Sequence, residues 1–264
     1  MSKFNLDIYK EQNKAMTVRE RSILKFGAIF TVISAILYFI ITVMIVIDPV
    51  GMYISGGEGF ETLLNNPYIN IGWRALFALQ NIISIIVIRA FTLYVAKGND
   101  KHYGLLSFCN IIMTAGVFIA AINWVHFIEV TKIMLNQYQA GISMDIITGI
   151  HYFPIDSFFL WTWGMYGLGF LCTNLIALIT GKFSKKMGIL GIICGSQLIL
   201  LVIFYIKGAS IQIAGVPYSL MMLCAGLLGG ITGPIFMFSC KKYYLAGHNA
   251  MEVTDESISY KLQS

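Results

Sequence analysis

Six continuous apolar runs constrain the fold of this chain more than any other feature of its sequence. Each run approaches or exceeds the roughly 20 residues that an α-helix needs to cross the hydrocarbon of a bilayer. The runs cover about 26–47, 71–95, 103–130, 157–180, 187–206 and 218–240. They lack the alternation of a membrane β-strand, and a backbone in lipid must satisfy its own hydrogen bonds. The sequence therefore predicts an all-α, polytopic transmembrane bundle of six helices.

Composition supports the membrane class. Hydrophobic residues make up 57% of the 264 residues and charged residues only 12%, too few to cover the surface of a soluble domain. We expect one transmembrane domain over 26–240, with polar tails over 1–25 and 241–264. The N-terminal tail is too long for the first part of a signal peptide, and no small-x-small cleavage site closes the run that follows it.

Lysine and arginine residues predict the orientation of the bundle. They concentrate in the two tails, in the second connection and in the fourth connection, at Lys97, Lys101, Lys182, Lys185 and Lys186. All these clusters fall on one side of a six-helix bundle, so we expect both termini to face the cytoplasm. They form no patch with interleaved aromatic residues, which argues against nucleic acid as a partner. The bilayer itself is the expected partner.

The second run carries polar residues that hydrocarbon penalises. Arg74, Asn81 and Arg89 fall within about a quarter-turn of one another at 100° per residue, and Asn81 is near the middle of the run. The face that they share favours a stripe turned toward the other helices. Each arginine can instead extend its side chain to the nearest headgroup layer, and that interpretation stays open.

The first run has small hydroxyl-bearing residues on one face, at three- and four-residue spacing: Thr31, Ser34, Tyr38 and Thr42. Such a face is typical of a contact between membrane helices. The alternative interpretation is that the face lines a polar cavity.

The third run ends with Asn123, His126 and Glu129, spaced three residues apart along one side of the helix. The outer ends of neighbouring runs add Asp48, Arg74, His151 and Asp156. Three interpretations of this cluster are open. It consists of charged helix ends in the headgroup layer, or it binds a polar or anionic ligand with Arg74 as the anchor, or it holds a metal through His126, Glu129, His151 and Asp156.

The ligand types in the third interpretation suit zinc, but they come from different segments and form no recognised metal motif. We therefore predict no metal and no cofactor. The candidate ligand-binding residues are Arg74, Asn81, Arg89, Asn123, His126 and Glu129. No nucleophile elbow, P-loop or dinucleotide fingerprint occurs, so we predict no catalytic residue.

The last two runs are rich in glycine. Gly191 and Gly195 in the fifth run, and Gly226, Gly229, Gly230 and Gly233 in the sixth, let helix backbones approach closely. Pro234 removes one backbone donor and predicts a kink. The same glycine faces are candidates for contact with a second copy of the chain or with another subunit.

The segment from about 161 to 243 resembles a widespread, uncharacterised family of small six-helix bacterial membrane proteins. The resemblance rests on the glycine-rich fourth run, the basic turn from Thr180 to Lys186, the opening of the fifth run at Met187-Gly188 and the pair Gly233-Pro234. It implies a shared bundle and a bacterial-type plasma membrane as the location. It implies no functional residues.

The predicted function is non-enzymatic. We expect binding or passage of a small polar or amphipathic solute through a polar interior along helices two and three, or a regulatory or immunity role through such a site. The alternatives are a membrane-embedded enzyme that acts on a lipid or headgroup, using His126 with Glu129 or Asp156, and a structural or regulatory membrane subunit.

Overall fold

A computed structural model describes residues 17–47, 67–143, 146–147, 155–156, 159–207 and 218–262. Within these ranges the protein is helical and contains no strand. The helices are α1 (Val18–Ile47), α2 (Pro67–Ala96), α3 (Tyr103–Gln139), α4 (Tyr166–Ile179), α5 (Lys185–Lys207) and α6 (Tyr218–Leu262). A 3-10 turn, Asp100–His102, precedes α3, and a π-helix, Leu160–Met165, precedes α4. The all-α prediction is confirmed.

The helix ends follow local sequence signals. Thr17 caps α1, because its backbone N–H donates to Glu20 Oε2 at 2.8 Å while Glu20 N donates to Thr17 Oγ1 at 3.3 Å. This reciprocal capping box moves the start of α1 eight residues ahead of the expected position. Pro67 opens α2, where its missing N–H costs no hydrogen bond. Gly181, with a φ of 70°, ends α4 in the left-handed region.

Two helices extend beyond their apolar runs. We expected a connection from residue 131, but α3 continues to Gln139, because Val130, Thr131 and Met134 keep a buried face at helical spacing. The second is α6, which continues from its apolar run through the expected polar tail to Leu262. Tyr243 and Tyr244 are buried, so the apolar face of α6 does not end with the apolar run.

The helices pack as a closed ring. Each helix contacts the helices before and after it in the chain, and α1 also packs along α6. A ring of six helices encloses an interior, whereas a layered arrangement of the same helices would not. This topology brings side chains from all six helices to one central space.

The outside of the ring is apolar. Within the described ranges, five helical stretches are long and apolar enough to cross a membrane: Val18–Ile47, Pro67–Ala96, Asp100–Gln139, Leu160–Ile179 and Lys185–Phe204. Large apolar side chains such as Phe39 and Ile111 are more than half exposed along them, and Ile231 is similarly exposed on α6. Water penalises so much exposed apolar surface. The helix lengths and this surface are compatible with an integral, multi-pass membrane protein.

An aromatic cluster closes the end of the ring where the basic residues of the α2–α3 and α4–α5 turns lie. We call this the basic end. Phe183 in the α4–α5 turn stacks on Phe91 and Tyr94 of α2, with ring centroids 5.9 and 5.7 Å apart. The Tyr94 hydroxyl donates to the Lys182 carbonyl at 3.1 Å, and the Tyr243 hydroxyl donates to Ser184 Oγ at 3.0 Å. The turn is thereby attached to both α2 and α6.

Candidate functional site: a central cavity

The ring of helices surrounds a partly open cavity of about 140 Å³, which we call the central cavity. All six helices and the π-helix contribute to its wall. Along α2 its lining runs from Phe77 to Phe91, and 14 residues of α-helix at about 1.5 Å each span about 21 Å. A volume this small spread over such a length describes a narrow, elongated space along the axis of the bundle.

The lining carries no charge. Among the described residues that line the cavity there is no aspartate, glutamate, lysine, arginine or histidine; the polar members are hydroxyl, amide and thiol side chains. In a low-dielectric interior an ion without a partner is costly, so this wall is suited to neutral molecules.

A hydrogen-bonded group occupies the wall between α1 and α2. Gln80 Nε2 donates to Ser34 Oγ and to Ser84 Oγ, both at 3.0 Å, and Ser84 Oγ donates to the Gln80 carbonyl at 2.8 Å. The three side chains are buried, and Gln80 and Ser84 line the cavity. We call this group the Ser34–Gln80–Ser84 network. It satisfies polar groups within the apolar bundle and fixes their positions.

Asn81 also lines the cavity beside this network. Its Nδ2 donates to the carbonyl of Phe77, one turn earlier in α2, at 2.8 Å. The amide donor is therefore used within the helix, and Oδ1 makes no hydrogen bond within the part of the chain that the structure describes. The group that Asn81 can offer to a molecule in the cavity is an acceptor.

Glycines of α6 make room for polar side chains in the wall. A Cβ at Gly229 would lie 2.6 Å from Gln197 Nε2, one at Gly230 would lie 2.6 Å from Thr42 Oγ1, and one at Gly233 would lie 2.9 Å from Tyr38 Cε1. The glycine face of α6 therefore packs within the chain, against residues that line the cavity. The prediction that glycine faces of α5 and α6 also bind a partner chain stays a prediction.

The π-helix forms another part of the wall. Asp156 accepts hydrogen bonds from Trp161 N at 3.1 Å and Thr162 N at 2.6 Å, so it caps this segment. Phe159, just before it, has a φ of 53°, in the left-handed region that a bulky residue seldom adopts. Thr162 lines the cavity, and its buried hydroxyl has no hydrogen-bond partner among the described residues. Strained backbone and π-helical turns concentrate at functional sites.

Of the predicted ligand-binding residues, Asn81 is the one that lines the central cavity. Arg74 is buried outside it, where Nη1 donates to Thr131 Oγ1 at 2.9 Å and the guanidinium lies 5.0 Å from the ring centroid of Trp73. Asn123 is also buried, and its Oδ1 accepts from Ile155 N at 2.9 Å. These two residues join helices and hold the segment before the π-helix.

The remaining candidates lie away from the cavity. Arg89 is exposed on the outside of the bundle, so the expectation that it shares an inward stripe with Asn81 is wrong. Its helical angle from Asn81 is about 80°, which is enough to leave the buried face. Glu129 is exposed and pairs with Lys132 at 3.2 Å, and His126 is half-buried beside the Phe127 ring. Whether any of these residues binds a ligand stays a prediction.

The metal interpretation receives no geometric support from the described residues. No three histidine, cysteine or acidic side chains among them lie close enough to hold an ion. Asp156 is occupied as the cap of the π-helix. His151 and Asp48, the other members of the expected outer cluster, lie outside the described residues.

Sequence reasoning missed several residues of the cavity. Gln80 and Ser84 were not singled out, although Gln80 adjoins Asn81 and Ser84 lies one turn further along the same face. The hydroxyl face of the first run packs against α6, as the first interpretation predicts, because Tyr38 and Thr42 contact its glycines and Thr31 donates to the Met237 carbonyl. The same three residues also line the cavity, so the two interpretations hold together.

Comparison with protein-family models, with curated proteins and with solved structures found no match to this chain. The fold and the cavity therefore define the class: an apolar, all-α bundle compatible with a multi-pass membrane protein, with an uncharged cavity at its centre.

Proposed function

We propose that this protein is a six-helix integral membrane protein that binds a small, uncharged, amphipathic solute in its central cavity. The observation that carries the proposal is the cavity wall, which combines aromatic rings with hydroxyl and amide groups and has no charged side chain among the described residues that form it. Binding sites for small molecules typically combine an apolar wall with a few fixed polar groups.

The proposal includes six membrane crossings with both termini on the cytoplasmic side of a bacterial-type plasma membrane. The closed ring supports the crossing by α6, because α6 packs along α1. The lysines near the turns and at Lys241 and Lys242 gather on one side in this arrangement.

The volume of the cavity suits a ligand with the cross-section of one aromatic ring. An apolar cavity of about 150 Å³ engineered into another protein is known to bind benzene. The central cavity has about the same volume but also offers the Asn81 and Thr162 side chains. A ring that carries one neutral polar group therefore matches both the size and the chemistry of the wall.

A binding measurement with three ring compounds tests the proposal. Purified protein in lipid nanodiscs is titrated with benzyl alcohol, benzoate and benzylammonium, and the unfolding temperature is measured. We expect benzyl alcohol to raise the unfolding temperature in a saturable manner, while the two ions leave it unchanged, because the wall offers no counter-charge.

Two valine substitutions on α3 give a matched control. Val117 lines the cavity and is 3% exposed, whereas Val125 is 50% exposed on the outside of the same helix. Val117→Phe places a ring in the cavity and should abolish the effect of benzyl alcohol, while Val125→Phe should preserve it. Equal responses of the two variants, or no response of the native protein to benzyl alcohol, would contradict the proposal.

A further inference from the structure

Two side-chain amide oxygens on α2 offer hydrogen-bond acceptors to the central cavity. Gln80 uses its Nε2 to donate to Ser34 and Ser84, and Asn81 uses its Nδ2 to donate to the Phe77 carbonyl. Gln80 Oε1 and Asn81 Oδ1 accept no hydrogen bond from the described residues, and neither oxygen is enclosed by protein atoms. Both side chains line the cavity, so a molecule inside it can reach two oxygens that only accept.

Two tyrosine hydroxyls add to these acceptors from opposite sides of the ring. Tyr38 of α1 and Tyr166 of α4 line the cavity, and within the described ranges their hydroxyls make no hydrogen bond and are not enclosed. The two hydroxyls are close enough to interact electrostatically with each other, and each also interacts with the Cys194 thiol of α5. Because α1 and α4 are not adjacent in the ring, this proximity means that both hydroxyls point into the interior.

This set of groups makes a demand on the chemistry of the solute. A solute that displaces water from the α2 oxygens loses affinity unless it donates a hydrogen bond in return. A tyrosine hydroxyl is less selective, because it can either donate or accept. A hydroxyl group on the solute meets both conditions, since its hydrogen goes to an amide oxygen while its own oxygen accepts from a tyrosine. An ether oxygen of the same size can only accept, so it leaves the amide oxygens unsatisfied.

We infer that the solute is an aromatic hydrogen-bond donor, a phenol or an aryl alcohol, whose O–H donates to Asn81 Oδ1 and whose oxygen accepts from Tyr38 or Tyr166. Asn81 is the assigned acceptor because it lies outside the Ser34–Gln80–Ser84 network and keeps a larger exposed fraction than Gln80, 9% against 6%. The inference rests on the proposed function, which it makes more specific.

Three isomers of one formula test the requirement for a donor. p-Cresol and benzyl alcohol each donate a hydrogen bond, whereas anisole, of the same composition and nearly the same volume, can only accept one. The protein in lipid nanodiscs is titrated calorimetrically with each isomer, and the heat of partition into empty nanodiscs is subtracted. We expect saturable binding of p-cresol and benzyl alcohol, and an affinity for anisole that is lower by about 5- to 100-fold.

Substitutions in the wall test the assigned residues. Asn81→Leu removes the acceptor, so the ratio of the p-cresol affinity to the anisole affinity should fall toward one. The double variant Tyr38→Phe and Tyr166→Phe removes the donors to the solute oxygen, so it should weaken all three isomers by about 2- to 10-fold and preserve that ratio. Tyr243→Phe is the control, because the Tyr243 hydroxyl donates to Ser184 away from the cavity, and it should change neither quantity.

The outcomes separate this inference from the proposed function. Equal affinities of the native protein for p-cresol and anisole would overturn the donor requirement and leave the proposed function standing, and this comparison needs no variant. An unchanged affinity ratio in Asn81→Leu would overturn the role of Asn81, because a purely structural effect of that substitution weakens the three isomers alike. Failure of all three isomers to bind would contradict the proposed function itself.

Discussion

Helices α1 and α2 approach each other closely at Gly27 and Ala90. Both residues are buried, and a Cβ built on Gly27 would overlap the Cβ of Ala90. Gly27→Ala therefore forces the two backbones apart. Adding a methyl group to a packed interior costs about 1–3 kcal/mol, and the direct overlap of two Cβ atoms places this case near the upper value. Alanine favours the helix over glycine by about 1 kcal/mol, so we expect the free energy of unfolding to fall by about 2 kcal/mol in total.

The reverse change on the facing helix should rescue the first. Ala90→Gly alone loses about 1 kcal/mol of helix propensity and about 0.8 kcal/mol of buried methyl contact. In the double variant the propensity effects cancel and the single Cβ moves from one helix to the other. We expect its stability within about 0.5 kcal/mol of the native protein, which corresponds to a coupling free energy of about 4 kcal/mol.

Equilibrium unfolding in mixed SDS and nonionic-detergent micelles measures these free energies. Gly104→Ala serves as the control, because a Cβ at Gly104 in α3 meets nothing within 4 Å and isolates the propensity effect. Additive losses in the double variant, with a coupling below about 0.5 kcal/mol, would refute the close approach of α1 and α2 at this crossing.

Gln80→Leu should cost about 1–3 kcal/mol because it leaves Ser34 and Ser84 without their common donor, and the same change combined with Ser34→Ala and Ser84→Ala should cost less. Gly181→Ala should cost about 1 kcal/mol, because Gly181 has a φ of 70° although a Cβ there meets nothing within 4 Å. Burial lowers the pKa of Lys182 from 10.5 to about 8, so the unfolded chain binds that proton more tightly, and stability should rise with pH between these values. Below pH 8 we therefore expect the free energy of unfolding of Lys182→Met to be higher than that of the native protein by up to about 3 kcal/mol. The difference should disappear near pH 10.5.

Unfolding curves of each variant check these three predictions. A triple variant less stable than Gln80→Leu would contradict the shared Ser34–Gln80–Ser84 network. A neutral Gly181→Ala would contradict the left-handed turn. A stability difference between Lys182→Met and the native protein that stays constant from pH 7 to pH 10.5 would contradict the buried position of the Lys182 amine.

Most of the helix positions could be predicted from the sequence, because a long apolar run in lipid has few alternatives to an α-helix. The α2 and α3 cores follow directly from their runs. The exact ends of the helices depend on local interactions that a hydropathy profile does not show. Examples are the capping box at Thr17 and Glu20 and the buried face that continues α3 past Val130.

The composition of the cavity was less accessible to prediction. The helical position of Asn81 correctly predicts that it faces the interior of the bundle. The same argument cannot decide whether Arg89 faces inward or outward, because its long side chain can reach the headgroup layer from both orientations. Nor can a sequence show that α1 and α6 are neighbours, which depends on closure of the ring. The contact of Gly233 with Tyr38 follows from that closure, and Tyr38 lines the cavity.

The aromatic cluster at the basic end has a consequence for any solute that occupies the bundle. Phe183 lies across Phe91 and Tyr94, and the turn that carries Phe183 is tied down on both sides by tyrosine hydroxyls. These rings block the path of a bound molecule toward that end of the bundle. The cavity is therefore closed on its lysine-rich side, and translocation to that side would first require the turn between α4 and α5 to move away from α2 and α6.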